Sequence, residues 1–190
     1  MARVDLSPEH WMDHPAVARV THTRMARQGI LLASTDSTGK LNPMTIGWGV
    51  FGWIWGQPIF TVLVRPSRYT YGCIKTTGDF TVNVQPATRN DLADFCGRVS
   101  GRDVDKMAEL DLTPLPSKHI MSPGIAECPI VFECRVVHRN DVIPGELTKA
   151  IAGTYYPAGD YHRVYFGQIL AVTVEESACQ DDICSGTGTD

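Results

Sequence analysis

The sequence lacks any cluster of basic residues. Its 190 residues carry 17 Lys and Arg against 21 Asp and Glu, which gives a formal net charge of −4. Proteins that bind nucleic acids gather Lys and Arg on one face to meet the phosphates. We therefore expect neither DNA nor RNA as a partner.

Long hydrophobic runs are also missing. The most apolar stretch, residues 46–60, is interrupted by four glycines, Gln57 and Pro58, whereas a membrane-spanning helix needs about 20 consecutive apolar residues. The first ten residues, MARVDLSPEH, contain no apolar core of a secretory signal. We therefore expect a cytoplasmic protein with no membrane partner.

The chain has six cysteines but no Cys-x-x-Cys pair, so we expect no zinc or iron–sulfur site and predict no metal ligands. Without a secretory signal the thiols are expected to stay reduced. Cys128 and Cys134 are predicted to lie on one face of a strand as small buried hydrophobic residues. Cys179 and Cys184 fall in a polar tail, are expected to be exposed, and have no predicted role.

Motifs of hydrolytic nucleophiles and of phosphate-binding loops are absent. One string, GWGVFG at residues 47–52, fits the G-x-G-x-x-G pattern of dinucleotide-binding folds. That motif requires a helix to open at its glycines, and the following residues, WIWGQP, do not predict one. We interpret the match as chance.

Short β-strand patterns separated by turn residues fill most of the chain. Strands are predicted near residues 29–34, 41–48, 59–64, 80–84, 130–137 and 165–174, and helices only over 69–76, 90–96 and 103–110. This pattern predicts a mostly-β fold, a small closed barrel with a few short helices, rather than a doubly wound parallel sheet. We treat residues 1–190 as one domain, with 1–24 as a lead-in and 177–190 as a flexible tail.

A bend at residues 65–70 (RPSRYT) follows an apolar strand pattern and precedes a helical one. Ser67 is the predicted N-cap, which would place free N–H groups and the positive end of the helix dipole there. Two guanidinium groups and two aliphatic hydroxyls beside that helix end suit a phosphate monoester. A turn with solvated arginines explains the same residues equally well.

Just upstream, residues 42–49 (NPMTIGWG) combine polar groups with Met44 and Trp48. Apolar atoms of this kind cover the face of a flat heteroaromatic ring, while backbone N–H and C=O groups bind its edge. Gly47 and Gly49 would allow the backbone to approach closely. Taken alone, the segment is better explained as a barrel strand whose Met and Trp belong to the core.

A third segment, residues 96–106, is rich in charge. Ser100 or Asp103 is a candidate helix cap, and Arg102 and Lys106 are candidates to face an anion. A solvated helix start explains this segment nearly as well. The aromatic cluster at residues 155–162 is a candidate to cover a ligand or a subunit seam, and His162 within it is interpreted as a structural histidine rather than a catalyst.

Together these segments resemble the flavin reductase-like family, in its flavoredoxin branch. The resemblance rests on residues 42–49, 65–71 and 80–83, and it extends through 96–97, 100–106, 159–162 and 165–167. These blocks cover about residues 25–175 in the order that the family has them. The first two blocks are specific only in combination.

The resemblance implies an FMN-binding split β-barrel, Greek-key-like and closed, that forms a homodimer with one FMN per subunit near the seam. It also implies three groups of FMN-binding residues. They are the ring-lining stretch with Asn42, Met44, Thr45, Ile46, Gly47 and Trp48, the phosphate-binding bend with Arg65, Ser67, Arg68 and Thr70, and a loop near the flavin with Ser100, Arg102 and Lys106.

The implied activity is that of an oxidoreductase that moves hydride or electrons from NAD(P)H to FMN and on to an acceptor. No side chain is predicted to be catalytic, because the flavin carries the chemistry. One alternative is a flavoredoxin-like electron carrier with tightly bound FMN and no NAD(P)H activity; another is a barrel that binds a different phosphorylated or haem-like ligand. The donor, the acceptor (a small molecule or a redox protein) and the status of FMN as cofactor or substrate stay open.

Overall fold

The structure, a computed structural model, describes residues 2–176 and Ala178. Its strands are β1 Arg3–Leu6, β2 Ile30–Thr35, β3 Leu41–Ile46, β4 Gly49–Ile54, β5 Gln57–Val64, β6 Asp79–Val84, β7 Pro114–Leu115, β8 Gly124–Ile125, β9 Ile130–Asp141 and β10 Arg163–Glu175. Its α-helices are α1 Pro15–Arg27, α2 Tyr69–Thr77, α3 Asn90–Arg98, α4 Lys106–Glu109 and α5 Lys149–Tyr155. The mostly-β prediction is confirmed.

One antiparallel sheet dominates the molecule, with the strand order β3-β2-β6-β9-β10-β5-β4. The long strand β10 pairs with β5 through its first half and with β1 through its second half. Between the two end strands, β3 and β4, no ladder of hydrogen bonds forms within residues 2–176. The closed barrel that the sequence predicts is therefore not confirmed.

Two hydrophobic clusters lie on opposite faces of β2. Because side chains alternate along a strand, Ile30 and Leu32 enter the main core, while Leu31 and Ala33 enter a smaller cluster that contains Leu92 of α3. All six residues of β2 are buried as a result. The smaller cluster fixes α3 and the loop after it against β2 and β3.

The N-terminal segment contains more structure than a lead-in. Residues 3–6 form β1 on the sheet, and α1 begins at Pro15, a residue favoured in the first helical turn. Trp11 is fully buried, with its ring 4.9 Å from that of Phe132. Val17 and Met25 are buried eight residues apart on one face of α1, a stripe too narrow to stand out in a helix with three arginines.

The predicted helices over 69–76 and 90–96 are confirmed as α2 and α3. The third, predicted over 103–110, is wrong in extent, because α4 covers only Lys106–Glu109. Its cap is neither Ser100 nor Asp103: Asp105 accepts hydrogen bonds from the backbone N–H groups of Met107 and Ala108. No helix was predicted over Lys149–Tyr155, where α5 lies.

The four cysteines that the structure describes are free thiols and are buried, which confirms the burial predicted for Cys128 and Cys134. Burial raises the pKa of the Cys73 and Cys96 thiols to about 11. Cys128 precedes β9 rather than lying within it, whereas Cys134 lies in β9. Cys179, Cys184 and the predicted flexible tail, Ala178 excepted, lie outside the described residues.

Residues 49–52 of the glycine pattern lie in β4 and no helix opens there, as expected for a chance match. Within residues 2–176 no helix combines the length and apolar character that crossing a bilayer requires.

Candidate functional site

Two adjoining clefts lie where β3, the bend before α2 and the loop after α3 meet. The first, the cationic cleft, has a volume of about 190 Å³ and is lined by Asn42, Ser67, Tyr69, Thr70, Cys96, Gly97, Val99, Ser100, Gly101, Arg102 and Lys106 together with the shared residues. The second, the tryptophan cleft, has a volume of about 220 Å³ and is lined by Ile46, Gly47, Trp48, Leu63, Arg65 and His162 together with the shared residues. The shared residues are Met44, Thr45 and Arg68.

All thirteen residues that were predicted from the sequence to bind FMN line one or both of these clefts. They come from three segments between Asn42 and Lys106, and the fold brings them to two adjoining clefts. No acidic side chain lines either cleft within the described part of the chain.

The bend after β5 differs from its predicted geometry. Ser67 is not the N-cap of α2: Arg68 holds that position, with an extended backbone and no side-chain capping bond. The Ser67 hydroxyl instead donates to the Asp160 carboxylate at 2.6 Å. The backbone N–H of Ser67 also donates to Asp160, at 3.3 Å.

Arg65 is likewise bound to the loop at residues 155–162. Its guanidinium donates to the backbone oxygens of Tyr155 at 2.8 Å and of Asp160 at 3.1 Å, and it lies 5.0 Å from the centroid of the Tyr156 ring. Asp160 has a φ of 56°, a left-handed conformation that Asp adopts more readily than most residues. Arg65 and Ser67 therefore fix the bend to this loop.

Arg68 is the arginine of the bend that faces both clefts. Its guanidinium forms no hydrogen bond or ion pair with any residue that the structure describes, and it is exposed. An unpaired guanidinium with five N–H donors is suited to a bidentate contact with an oxyanion. Arg68 is therefore the strongest anion ligand that the bend offers.

Thr70, in the first turn of α2, is joined to β3. Its hydroxyl oxygen accepts a hydrogen bond of 2.7 Å from the Asn42 side-chain amide, and both residues are buried. This bond fixes the start of α2 against β3, whose residues Met44 and Thr45 line both clefts.

Lys106 is a buried cation in the floor of the cationic cleft. Its Nζ donates to the backbone oxygens of Pro43 at 2.9 Å and of Cys96 at 3.0 Å. Burial lowers the pKa of the Lys106 ammonium, and the nearby Arg68 charge lowers it further. An ammonium has three N–H donors, so one remains for a ligand.

The loop after α3 closes the cationic cleft. Arg102 donates from Nη1 to the backbone oxygen of Ser67 at 3.1 Å, and Ser100 accepts from the Arg102 backbone N–H at 3.2 Å. Gly101 permits this packing, because a Cβ atom there would lie 1.8 Å from Oδ1 of Asn42.

Trp48 and His162 form one side of the tryptophan cleft. The Trp48 ring lies 5.1 Å from the rings of both His162 and Tyr155, and it is 40% exposed. The Tyr156 hydroxyl lies 2.8 Å from Nδ1 of His162. Burial and the positive charge of Arg65 lower the pKa of His162 to about 4, so its ring is neutral near pH 7.

Eight residues of this site were not among those predicted from the sequence: Asp160 binds the bend, and the clefts are also lined by Leu63, Tyr69, Cys96, Gly97, Val99, Gly101 and His162. His162 was interpreted from the sequence as structural rather than catalytic, within a cluster that could cover a ligand, and it does line the tryptophan cleft. Its lowered pKa depends on buried neighbours that the sequence does not reveal. Asp160 binds Ser67, which lies 93 residues earlier in the chain. A Gly-Asp pair indicates only a turn, so no sequence signal pointed to that contact.

A family model described as a flavin reductase like domain matches residues 23–183. The chain belongs to the flavin reductase-like family. The matched range includes every residue that lines the two clefts. The family resemblance that the sequence suggested is thereby confirmed.

Flavoredoxin of Desulfovibrio vulgaris (Miyazaki F) is similar to this chain, with 27% identity and a TM-score of 0.64 over 78% of this chain and 70% of that chain. A Shewanella frigidimarina protein with a split barrel domain gives 19% identity and a TM-score of 0.64 over 85% and 76% of the two chains. The latter likeness concerns the fold alone, and it identifies the sheet as a split-barrel type.

An uncharacterized protein of Archaeoglobus fulgidus is 35% identical over 136 residues, which are 70% of this chain and 66% of the relative. The chain therefore spans about two thirds of the length of this relative.

Proposed function

We propose that this protein binds FMN across the two clefts and acts as an FMN-dependent oxidoreductase of the flavin reductase type. The observation that carries the proposal is that the cationic cleft and the tryptophan cleft meet at one unpaired arginine, Arg68. FMN joins a phosphate dianion to a flat ring system, so it needs both kinds of surface side by side. Membership of the family supports the same ligand class.

The cationic cleft fits the phosphate. Arg68, Arg102 and Lys106 bring three positive charges to its lining, with no carboxylate among the described lining residues to neutralise them. Arg68 has no protein partner, and Lys106 retains one N–H donor. Charged donors of this kind form the strong, short bonds that phosphate oxygens accept.

The tryptophan cleft fits the ring system. Met44, Leu63 and Trp48 supply apolar surface, and the backbone from Thr45 to Gly47 supplies polar groups at the level of a ring edge. FMN, when bound, supplies the redox chemistry by accepting a hydride or electrons. The side chains of this chain bind and orient it, and the neutral His162 adds no charge beside the ring.

Absorption spectroscopy of the purified protein tests the cofactor. We expect a flavin spectrum, or its appearance and the quenching of FMN fluorescence when FMN is added. A colourless protein that takes up no FMN would refute the proposal. Haem or another chromophore in the spectrum would point to a different ligand for the same clefts.

We propose NADH or NADPH as the electron donor, with a small molecule or a redox protein as acceptor. Mixing the FMN-loaded protein anaerobically with each nucleotide should bleach the flavin absorption. The similarity to a flavoredoxin favours a second candidate function, an electron carrier with tightly bound FMN. Bleaching that requires a partner reductase would support the carrier and exclude the enzyme.

We also propose that the protein works as a homodimer. Support comes from large apolar side chains at the end of the sheet: Val50 is 64% exposed, Trp53 50% and Trp55 61%. Exposed apolar patches of this kind often mark protein interfaces. Sedimentation equilibrium should give twice the chain mass at micromolar concentration, and a monomer that still binds FMN would contradict the dimer.

A further inference from the structure

A hydrogen bond to a residue outside the clefts fixes a side chain that lines the cationic cleft. The hydroxyl of Tyr69, the first residue of α2, donates to Oδ2 of Asp36 at 2.7 Å. Asp36 lies in the turn between β2 and β3 and is itself fixed there. Its other oxygen accepts from the Thr38 backbone N–H at 2.8 Å, from the Thr38 hydroxyl at 2.7 Å and from the Lys40 backbone N–H at 3.1 Å.

The Tyr69 ring in turn supports Arg102. The Arg102 guanidinium carbon lies 5.5 Å from the centroid of that ring, within the range of a cation–π contact. A Cβ atom on Gly101 would lie 2.9 Å from Cδ1 of Tyr69, so the loop rests directly on the ring. Tyr69 and Arg102 line the cationic cleft, whereas Asp36 does not.

The proton of the contact stays on Tyr69. The hydrogen bond to Asp36 raises the pKa of Tyr69 to about 12. Hydrogen bonds from Thr38 and Tyr69 hold the pKa of Asp36 well below its ordinary value. The donor is therefore the phenol and the acceptor is a carboxylate throughout the physiological pH range, and the bond is charge-assisted.

We propose that Asp36 and Tyr69 position Arg102: the carboxylate fixes the ring, and the ring sets the guanidinium toward the phosphate of the ligand. This inference rests on the proposed binding of FMN. It makes Asp36 a positioning residue that acts on the ligand only through Tyr69 and Arg102.

The direction in which Asp36→Ala changes the affinity for FMN distinguishes a positioning role from an effect of charge alone. Asp36 is an anion close to a cleft proposed to bind an anion, so its removal would by charge alone strengthen FMN binding. Loss of positioning has the opposite effect. An Arg102 side chain that the Tyr69 ring no longer holds loses more conformational entropy when it contacts the phosphate. We therefore expect Asp36→Ala to weaken FMN binding.

The experiment measures the affinities of the full-length chain for FMN and for riboflavin, which lacks the phosphate, by fluorescence titration after bound flavin is removed. Tyr69→Phe keeps the ring and loses the hydroxyl. We expect it to weaken FMN about three- to tenfold, as the loss of one hydrogen bond would, and to leave riboflavin affinity unchanged. A merely structural role would change both affinities alike.

Tyr71→Phe is the matched control. Tyr71 lies on the same helix but packs 6.3 Å from the Tyr165 ring, and it lines neither cleft. This variant should retain the FMN affinity of the unmodified protein.

A double substitution completes the test. In an Arg102→Ala background, Tyr69→Phe should have no further effect on FMN affinity, because the residue through which it acts is gone. A full additional loss there, or unchanged or tighter FMN binding by Asp36→Ala, would overturn the positioning role. If Asp36→Ala does not fold, Tyr69→Phe and the double variant decide alone.

Failure of the proposed function gives a different result. If the unmodified protein binds no FMN, or binds FMN and riboflavin equally, the phosphate site itself is wrong. If Arg102→Ala weakens FMN and Tyr69→Phe does not, only the positioning inference is wrong.

Discussion

The Nζ atom of Lys106 lies 2.9 Å from the backbone oxygen of Pro43, and Lys106 is 4% exposed. A buried ammonium therefore joins β3 to the end of α3 at the floor of the cationic cleft. Lys106→Met should weaken FMN by about 1.5–3 kcal/mol, the cost of losing a hydrogen bond from a charged group, and should lower the melting temperature. Isothermal titration calorimetry and thermal unfolding measure the two effects.

Lys75→Met is the control, because Lys75 is exposed near the end of α2 and lines neither cleft. It should change neither quantity measurably. FMN affinity unaltered in Lys106→Met would show that the third N–H donor does not reach the ligand.

Arg68 provides the most direct test of the phosphate site. Arg68→Ala removes the unpaired guanidinium and should weaken FMN by about 1.5–3 kcal/mol, with little effect on stability because the side chain has no partner among the described residues. Arg98→Ala, on the exposed side of α3, should leave affinity unchanged. If Arg68→Ala and the unmodified protein bind FMN with equal affinity in a titration, the phosphate does not bind at Arg68.

His162 should make the apoprotein less stable in mild acid. Its pKa is lowered from 6.5 to about 4, so between these values the unfolded chain binds a proton that the folded protein does not. The free energy of unfolding therefore falls as the pH drops through this window, by up to about 3 kcal/mol. Urea unfolding at a series of pH values measures the slope.

His162→Asn should flatten that pH dependence, because the residue that takes up the proton is gone. His22→Asn, an exposed position on α1, serves as the comparison and should keep the slope. A slope that survives in His162→Asn would assign the acid sensitivity to other groups.

Gly101 should tolerate no side chain. A Cβ atom there would lie 1.8 Å from Oδ1 of Asn42, whose amide binds Thr70, so Gly101→Ala must displace either the loop or Asn42. We expect lower thermal stability and weaker FMN binding. Gly72→Ala has nothing within 4 Å of the added carbon and lies within α2, so it should raise stability by about 0.5–1 kcal/mol. Similar effects of the two variants would contradict the tight fit.

Six of the ten strands, namely β2, β3, β5, β6, β9 and β10, and two of the helices were predicted from local pattern, whereas β1, β4, β7 and β8 were not. β2 and β9 carry apolar residues at the spacing of a strand, and α2 and α3 follow turn residues at their expected places. The helix α1 escaped prediction because its buried stripe is narrow and its burial depends on the sheet. The closure of the barrel could not be settled locally, since it depends on whether the distant strands β3 and β4 meet.

By itself the sequence determined which residue types are present for binding: two arginines and two aliphatic hydroxyls at one bend, methionine and tryptophan just upstream, and a charged loop later in the chain. Only the tertiary structure decided how these groups are used. It bound Ser67 and Arg65 to the loop around Asp160, left Arg68 unpaired, and buried Lys106 against two carbonyls. Those assignments depend on contacts between segments far apart in the chain, which local spacing does not encode.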